Sequence, residues 1–123
     1  MPDATESPLP PGTFPAGTQP KDSSVSLIGV APVLISFLTR LGLIHMHLFD
    51  SILTVTSARD AVHGKGSKHY IGKAVDLRIS DLPQRSVAVF LMVLYELTPR
   101  YKLAVFDEEQ LPGEAHVHVE LAG

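Results

Sequence analysis

The sequence predicts an α+β fold in which a small, mainly antiparallel sheet packs against two or three helices. Two segments alternate apolar and polar residues with a period of two, residues 73–79 (KAVDLRI) and 115–121 (AHVHVEL). Two others, starting near Ala31 and Leu82, repeat apolar residues at helical spacing. Runs of strands and helices that do not alternate regularly belong to the α+β class.

Residues 1–24 hold six of the ten prolines, mixed with Gly, Ser and Thr. Such a stretch cannot bury enough apolar area to offset ordering, so it reads as a flexible arm, with the folded domain spanning 25–123. From Ala31, the positions Val33, Leu34, Phe37, Leu38 and Leu41 follow a helical repeat. Pro32 suits its first turn and Gly42 its stop. Residues 51–57 (SILTVTS) are rich in β-branched side chains and should form a strand. A loop follows over residues 58–70. Residues 73–79 place Val75, Leu77 and Ile79 on one face and Ala74, Asp76 and Arg78 on the other. Asp81 is positioned to cap a helix that begins near Leu82 and Pro83, carries Val87, Phe90, Leu91 and Leu94 inward, and is ended by Pro99. Residues 102–106 make a strand, residues 107–113 an acidic loop. The last strand points Val117, Val119 and Leu121 to the core, and His116, His118 and Glu120 away from it.

Composition excludes several functions. The chain has 123 residues, a net charge of −3 and scattered Lys and Arg, so it lacks the basic stripe that phosphate backbones require. The most apolar stretch, residues 26–49, is broken by Pro32, Arg40, His45 and His47 and reads as a buried helix rather than a membrane span. The amino terminus lacks the positive-then-apolar order of a secretory signal. With no cysteine, any metal must be bound by imidazole and carboxylate. The chain is expected to be a monomer.

If the two alternating strands pair, Asp76 and His118 can meet on the polar face. His69 stands seven residues before Asp76, about 10 Å along a helix and more than 20 Å along a strand. Ligands at about 2 Å from one ion lie within about 4 Å of each other, so sharing an ion requires a bend. Gly72 is the permissive residue available for it.

The run Ser67-Lys-His69-Tyr-Ile-Gly72-Lys-Ala74-Val-Asp76 resembles the S-x-H-x-x-G-x-A-x-D signature of the zinc D-alanyl-D-alanine peptidase superfamily and its Hedgehog relatives. Downstream, His116-Val-His118-Val-Glu120 is similar to the late H-x-H strand of those families. The resemblance covers roughly residues 51–121. It implies a Hedgehog/DD-peptidase-like fold and Zn²⁺ held by His69, Asp76 and His118, with His116 as a second histidine near the metal. Three protein ligands and an open position are the arrangement of catalytic zinc, where the metal raises the acidity of a water. The implied activity is hydrolysis of a peptidoglycan stem peptide, as a D-Ala-D-Ala carboxypeptidase or an endopeptidase.

Superfamily peptidases place their general base in E-x-x-H, and here the position three before His118 is Ala115. Glu114 is the nearest candidate, with Glu108 and Glu109 as rivals. Arg59 resembles the arginine of the T-S-G-Y-R segment that precedes the signature, although the match is inexact. A cation there would stabilise an oxyanion or grip a carboxylate. Ser67 would orient the loop or the substrate. Blander readings stand beside these: His45 and His47 as structural or solvated histidines, His63 as an exposed loop residue, Glu120 as a solvated edge carboxylate. The displaced glutamate also admits a catalytically inactive, zinc-stabilised binding domain of the same fold. A phage lysin or tail module acting on the cell envelope is a third expectation.

Overall fold

A computed structural model describes residues 10, 12–58, 72–108 and 116–122 of the chain. Among these residues five strands and two helices follow in the order β1 (Thr18–Pro20), α1 (Pro32–Phe49), β2 (Leu53–Ser57), β3 (Ala74–Arg78), α2 (Gln84–Leu97), β4 (Leu103–Glu108) and β5 (His116–Leu121). A 3₁₀ turn, Thr98–Tyr101, joins α2 to β4. The sheet runs β1-β2-β3-β5-β4; β1 and β2 are parallel and every other pair is antiparallel. The fold is therefore α+β with a mixed sheet, antiparallel in three of its four pairings.

One face of the sheet forms the core. Leu53, Val55, Val75, Leu77, Val117 and Val119 lose all solvent contact and join Leu34, Phe37, Leu38 and Leu41 of α1 and Phe90 and Leu94 of α2 in a single cluster. These are the inward positions of the period-two and helical patterns, which is why each segment adopts its element: burial of one stripe stabilises it at about 25 cal/mol per Å². Helices and core therefore lie on one side. The polar positions of β3 and β5 lie on the other.

Several boundaries differ from the sequence reading. Gly42 does not stop α1, which runs on to Phe49 and ends at Asp50 in the left-handed conformation, whose N–H is donated to the Met46 carbonyl. The glycine serves contact instead: a Cβ at Gly42 would lie 2.7 Å from the Ala16 carbonyl oxygen, and one at Gly17 would lie 2.4 Å from the Gly42 carbonyl oxygen. Two glycines thus let α1 press against the chain entering β1. Asp81 does not cap α2 either. Pro83 holds the N-cap position without a side-chain cap, since its own extended backbone fixes where the helix can begin.

The amino-terminal segment read as a flexible arm is, in its described part, tied to the body. Thr18, Gln19 and Pro20 pair with Leu53, Thr54 and Val55, Gln19 donates its Nε2 hydrogen to Thr54 Oγ1 at 3.1 Å, and the Lys21 N–H reaches the Val55 carbonyl at 2.9 Å. Proline composition predicts an extended chain, and an extended chain with a free strand edge beside it can add to the sheet. Of the two histidines read as structural or solvated, His47 is exposed and His45 is buried: its Nδ1–H donates to the Ser51 carbonyl at 2.8 Å and its ring meets Phe49 and Phe90 edge-on.

Candidate functional site

The polar face of the sheet is built from two interior strands. β3 and β5 pair antiparallel with Ala74 opposite Glu120, Asp76 opposite His118 and Arg78 opposite His116. The adjoining strand β4 sets Phe106 opposite His118 and Glu108 opposite His116. Because Val75, Leu77, Val117 and Val119 are locked in the core, the alternating residues between them are committed to the other face. A slip of one residue would bury Asp76 and His118, so the apolar stripe fixes the site.

Asp76 and His118, 42 residues apart in sequence, meet with Oδ1 and Nδ1 separated by 2.8 Å. The other ring nitrogen, Nε2, lies 2.8 Å from Glu120 Oε1. His118 is therefore gripped at both ends by carboxylates while only 14% of its side chain is exposed. The Asp76 carboxylate is the main cause of a pKa raised above the ordinary imidazole value; burial opposes it and Glu120 adds to it. His116 comes within 3.9 Å of the remaining Asp76 oxygen. The Phe106 ring leans over His118 with centroids 5.9 Å apart and forms an apolar wall.

β2 closes the other side. Val55 pairs with Leu77 but Ser57 pairs with Asp76, so β2 carries one extra residue between these pairs. That bulge brings Ser57, otherwise in step with the core residue Val55, into register with the carboxylate. At the entrance to β3, Gly72 has φ +75°, and a Cβ there would fall 2.1 Å from the Gly29 carbonyl oxygen. Gly72 thus takes the left-handed conformation that glycine permits, and the segment before it, with His69, lies outside the described residues.

Of the residues singled out from sequence, the structure brings together Asp76, His118 and His116. His69, Arg59, His63, Ser67, Glu109 and Glu114 lie outside the described residues. Glu108 belongs to β4, in register with His116. Glu120 is not an edge carboxylate, because β5 lies between β3 and β4; it is a partner of His118. Its sequence signal was the shared parity with His118, two residues away. Phe106 and Ser57 had no such signal, since one depends on strand order and the other on a bulge.

Two of the three residues implied as zinc ligands can be tested against a metal. Two donors on one tetrahedral ion at about 2.1 Å stand about 3.4 Å apart, and the Asp76 and His118 donors, at 2.8 Å, need to separate by only about half an ångström. Glu120 on Nε2 is the carboxylate–imidazole arrangement that orients a metal-binding histidine and leaves Nδ1 for the ion. Among the described residues no group of three His, Cys, Asp or Glu could hold a metal. A separate open groove of about 460 Å³ between α1 and α2, lined by Arg40, Ile44, Val89, Met92 and Val93 among others, shares no residue with this face. Comparison with protein-family models and with curated protein sequences gives no match to the chain.

Proposed function

We propose that the chain is a zinc-dependent peptidase of the D-alanyl-D-alanine peptidase and Hedgehog type, acting on peptidoglycan stem peptides, with His69, Asp76 and His118 as metal ligands. The observation that carries this reading is the direct apposition of Asp76 and His118 across β3 and β5, with His118 Nε2 held by Glu120. A structural ion pair needs no second carboxylate on the imidazole, whereas a metal-binding histidine uses one to fix its ring.

Zinc bound there would supply Lewis acidity toward a scissile carbonyl and raise the acidity of a water. The protein's own groups do the rest. Glu120 accepts the Nε2 hydrogen of His118 and so fixes its tautomer and ring plane. Phe106 shields one side of that ring from water. His116, near Asp76 and partly exposed, can hold or donate a proton at Nε2 toward a bound substrate. Glu114 is the favoured general base, with Glu108 and Glu109 as rivals. Arg59 would face developing negative charge.

Chelator-sensitive cleavage of muropeptides that is lost in His69→Ala and in Asp76→Ala is the expected result, and full activity in both variants would refute the reading. Ala115, standing where the E-x-x-H glutamate is expected, favours a second reading: a zinc-stabilised binding domain without catalysis. One bound zinc, a thermal shift on chelation and no hydrolysis of any muropeptide would select it.

A further inference from the structure

Arg78 lies two residues beyond Asp76 on β3, at the register position opposite His116 and on the same face as the Asp76–His118 pair. It is half-buried. The Asp76 oxygens are directed to His118 and His116, and Arg78 makes no salt bridge among the described residues. On the polar positions of β3 and β5 it is the one fixed cation, beside two carboxylates, Asp76 and Glu120. Those carboxylates would repel any anionic group of a substrate. A guanidinium on an interior strand, not occupied by a carboxylate among the described residues, offers a planar fork to a carboxylate from outside.

The spacing selects which carboxylate. Alternate residues along a strand stand about 6.8 Å apart, so the Arg78–His116 row lies one such step from the Asp76–His118 row. In a peptide that loses a single residue, the terminal carboxylate carbon lies about one residue length, roughly 3.8 Å, from the scissile carbonyl carbon. With that carbonyl at Asp76 and His118, the carboxylate falls between the two rows, within reach of a long side chain rooted in the second. An internal peptide bond would offer Arg78 only a neutral amide.

We infer that Arg78 binds the terminal α-carboxylate of the peptide substrate, so that the site removes a carboxy-terminal residue rather than cutting within a chain. This rests on the peptidase reading above. It is tested with diacetyl-Lys-D-Ala-D-Ala and the same peptide as its carboxy-terminal amide. Two measurements are made on the full chain: kcat and KM when zinc-loaded, and binding by calorimetry when zinc-free.

The wild-type chain is expected to prefer the acid over the amide by on the order of tenfold or more, as charge-assisted hydrogen bonds do. In Arg78→Ala the preference collapses toward one through a higher KM for the acid, with kcat little changed, whereas Arg78→Lys retains part of it. Zinc content and circular dichroism equal to wild type show that the variants are folded. A wild-type ratio near one, or a preference that persists in Arg78→Ala, overturns the assignment while leaving the peptidase reading intact. Hydrolysis of muropeptides but of neither peptide overturns the assignment; if muropeptides too stay intact, the peptidase reading fails and Arg78 is judged on binding: an acid preference lost in Arg78→Ala supports carboxylate recognition, and no preference or no binding overturns it.

Discussion

His118 gathers more of the chemistry than any other described side chain. Between Asp76 and Glu120 its imidazolium is favoured, and the raised pKa sets the sign of a pH effect on the zinc-free protein. A group whose pKa is raised on folding contributes stability that is fully present below its unfolded value, about 6.5, and is lost as pH rises through the folded value. The difference in urea midpoint between wild type and His118→Gln, measured in chelator from pH 5 to 9, should therefore be largest at the acid end and shrink toward the alkaline end. A difference that grows with pH would show that the carboxylates do not favour the charged ring. Zinc bound as proposed would reverse the demand, because a ligand imidazole must be neutral at the donor nitrogen, so its uptake would release a proton and strengthen with pH.

At the scale of elements, the informative positions are those where propensity and packing disagree. Gly42 sits inside an 18-residue helix, where glycine is about 1 kcal/mol less favourable than alanine. Propensity alone therefore predicts that Gly42→Ala stabilises. The structure predicts the opposite, since the new Cβ would fall 2.7 Å from the Ala16 carbonyl oxygen and 2.8 Å from Thr18 Cγ2, and backbone on the β1 side must give way. A net loss of about 1–3 kcal/mol is expected by chemical denaturation, in the range of overpacking. A gain would mean that the approach of α1 to β1 is looser than described. The same conflict explains why the expected helix stop failed. Glycine marks a helix end when the chain needs a left-handed residue, and here Asp50 takes that conformation while Gly42 is needed for contact.

Across the whole molecule, a two-layer design separates stability from chemistry. Helices and apolar side chains fill one face of the sheet, and the titratable residues of β3 and β5 occupy the other, on interior strands whose backbones are fixed from both sides. Among the described residues the edge strands are β1 and β4. Deleting residues 1–21 would strip β1 from β2, remove the buried Thr18 and leave the β2 edge unpaired. The truncated chain should lose at least about 2 kcal/mol and show concentration-dependent association by sedimentation. A truncation as stable and monomeric as the full chain would return this segment to the status of a detachable arm.

The periodicities of the chain determined by themselves where α1, α2, β3 and β5 lie, which of their residues face the core, and that Asp76, His116 and His118 stand on polar strand faces. Alternation and helical repeat are local properties, so they can be read along a single chain. Adjacency is not local. That His118 stands opposite Asp76 at 2.8 Å follows from β3 and β5 being neighbours, and that Glu120 grips His118 rather than fringing the sheet follows from β4 lying outside β5. The same holds for the bulge that carries Ser57 to Asp76, for the conversion of a proline-rich arm into β1, and for the use of Gly42 as a contact rather than a stop. Strand order and close backbone approach are decided by which apolar surfaces can be buried together, a property of the assembled core that no single segment contains.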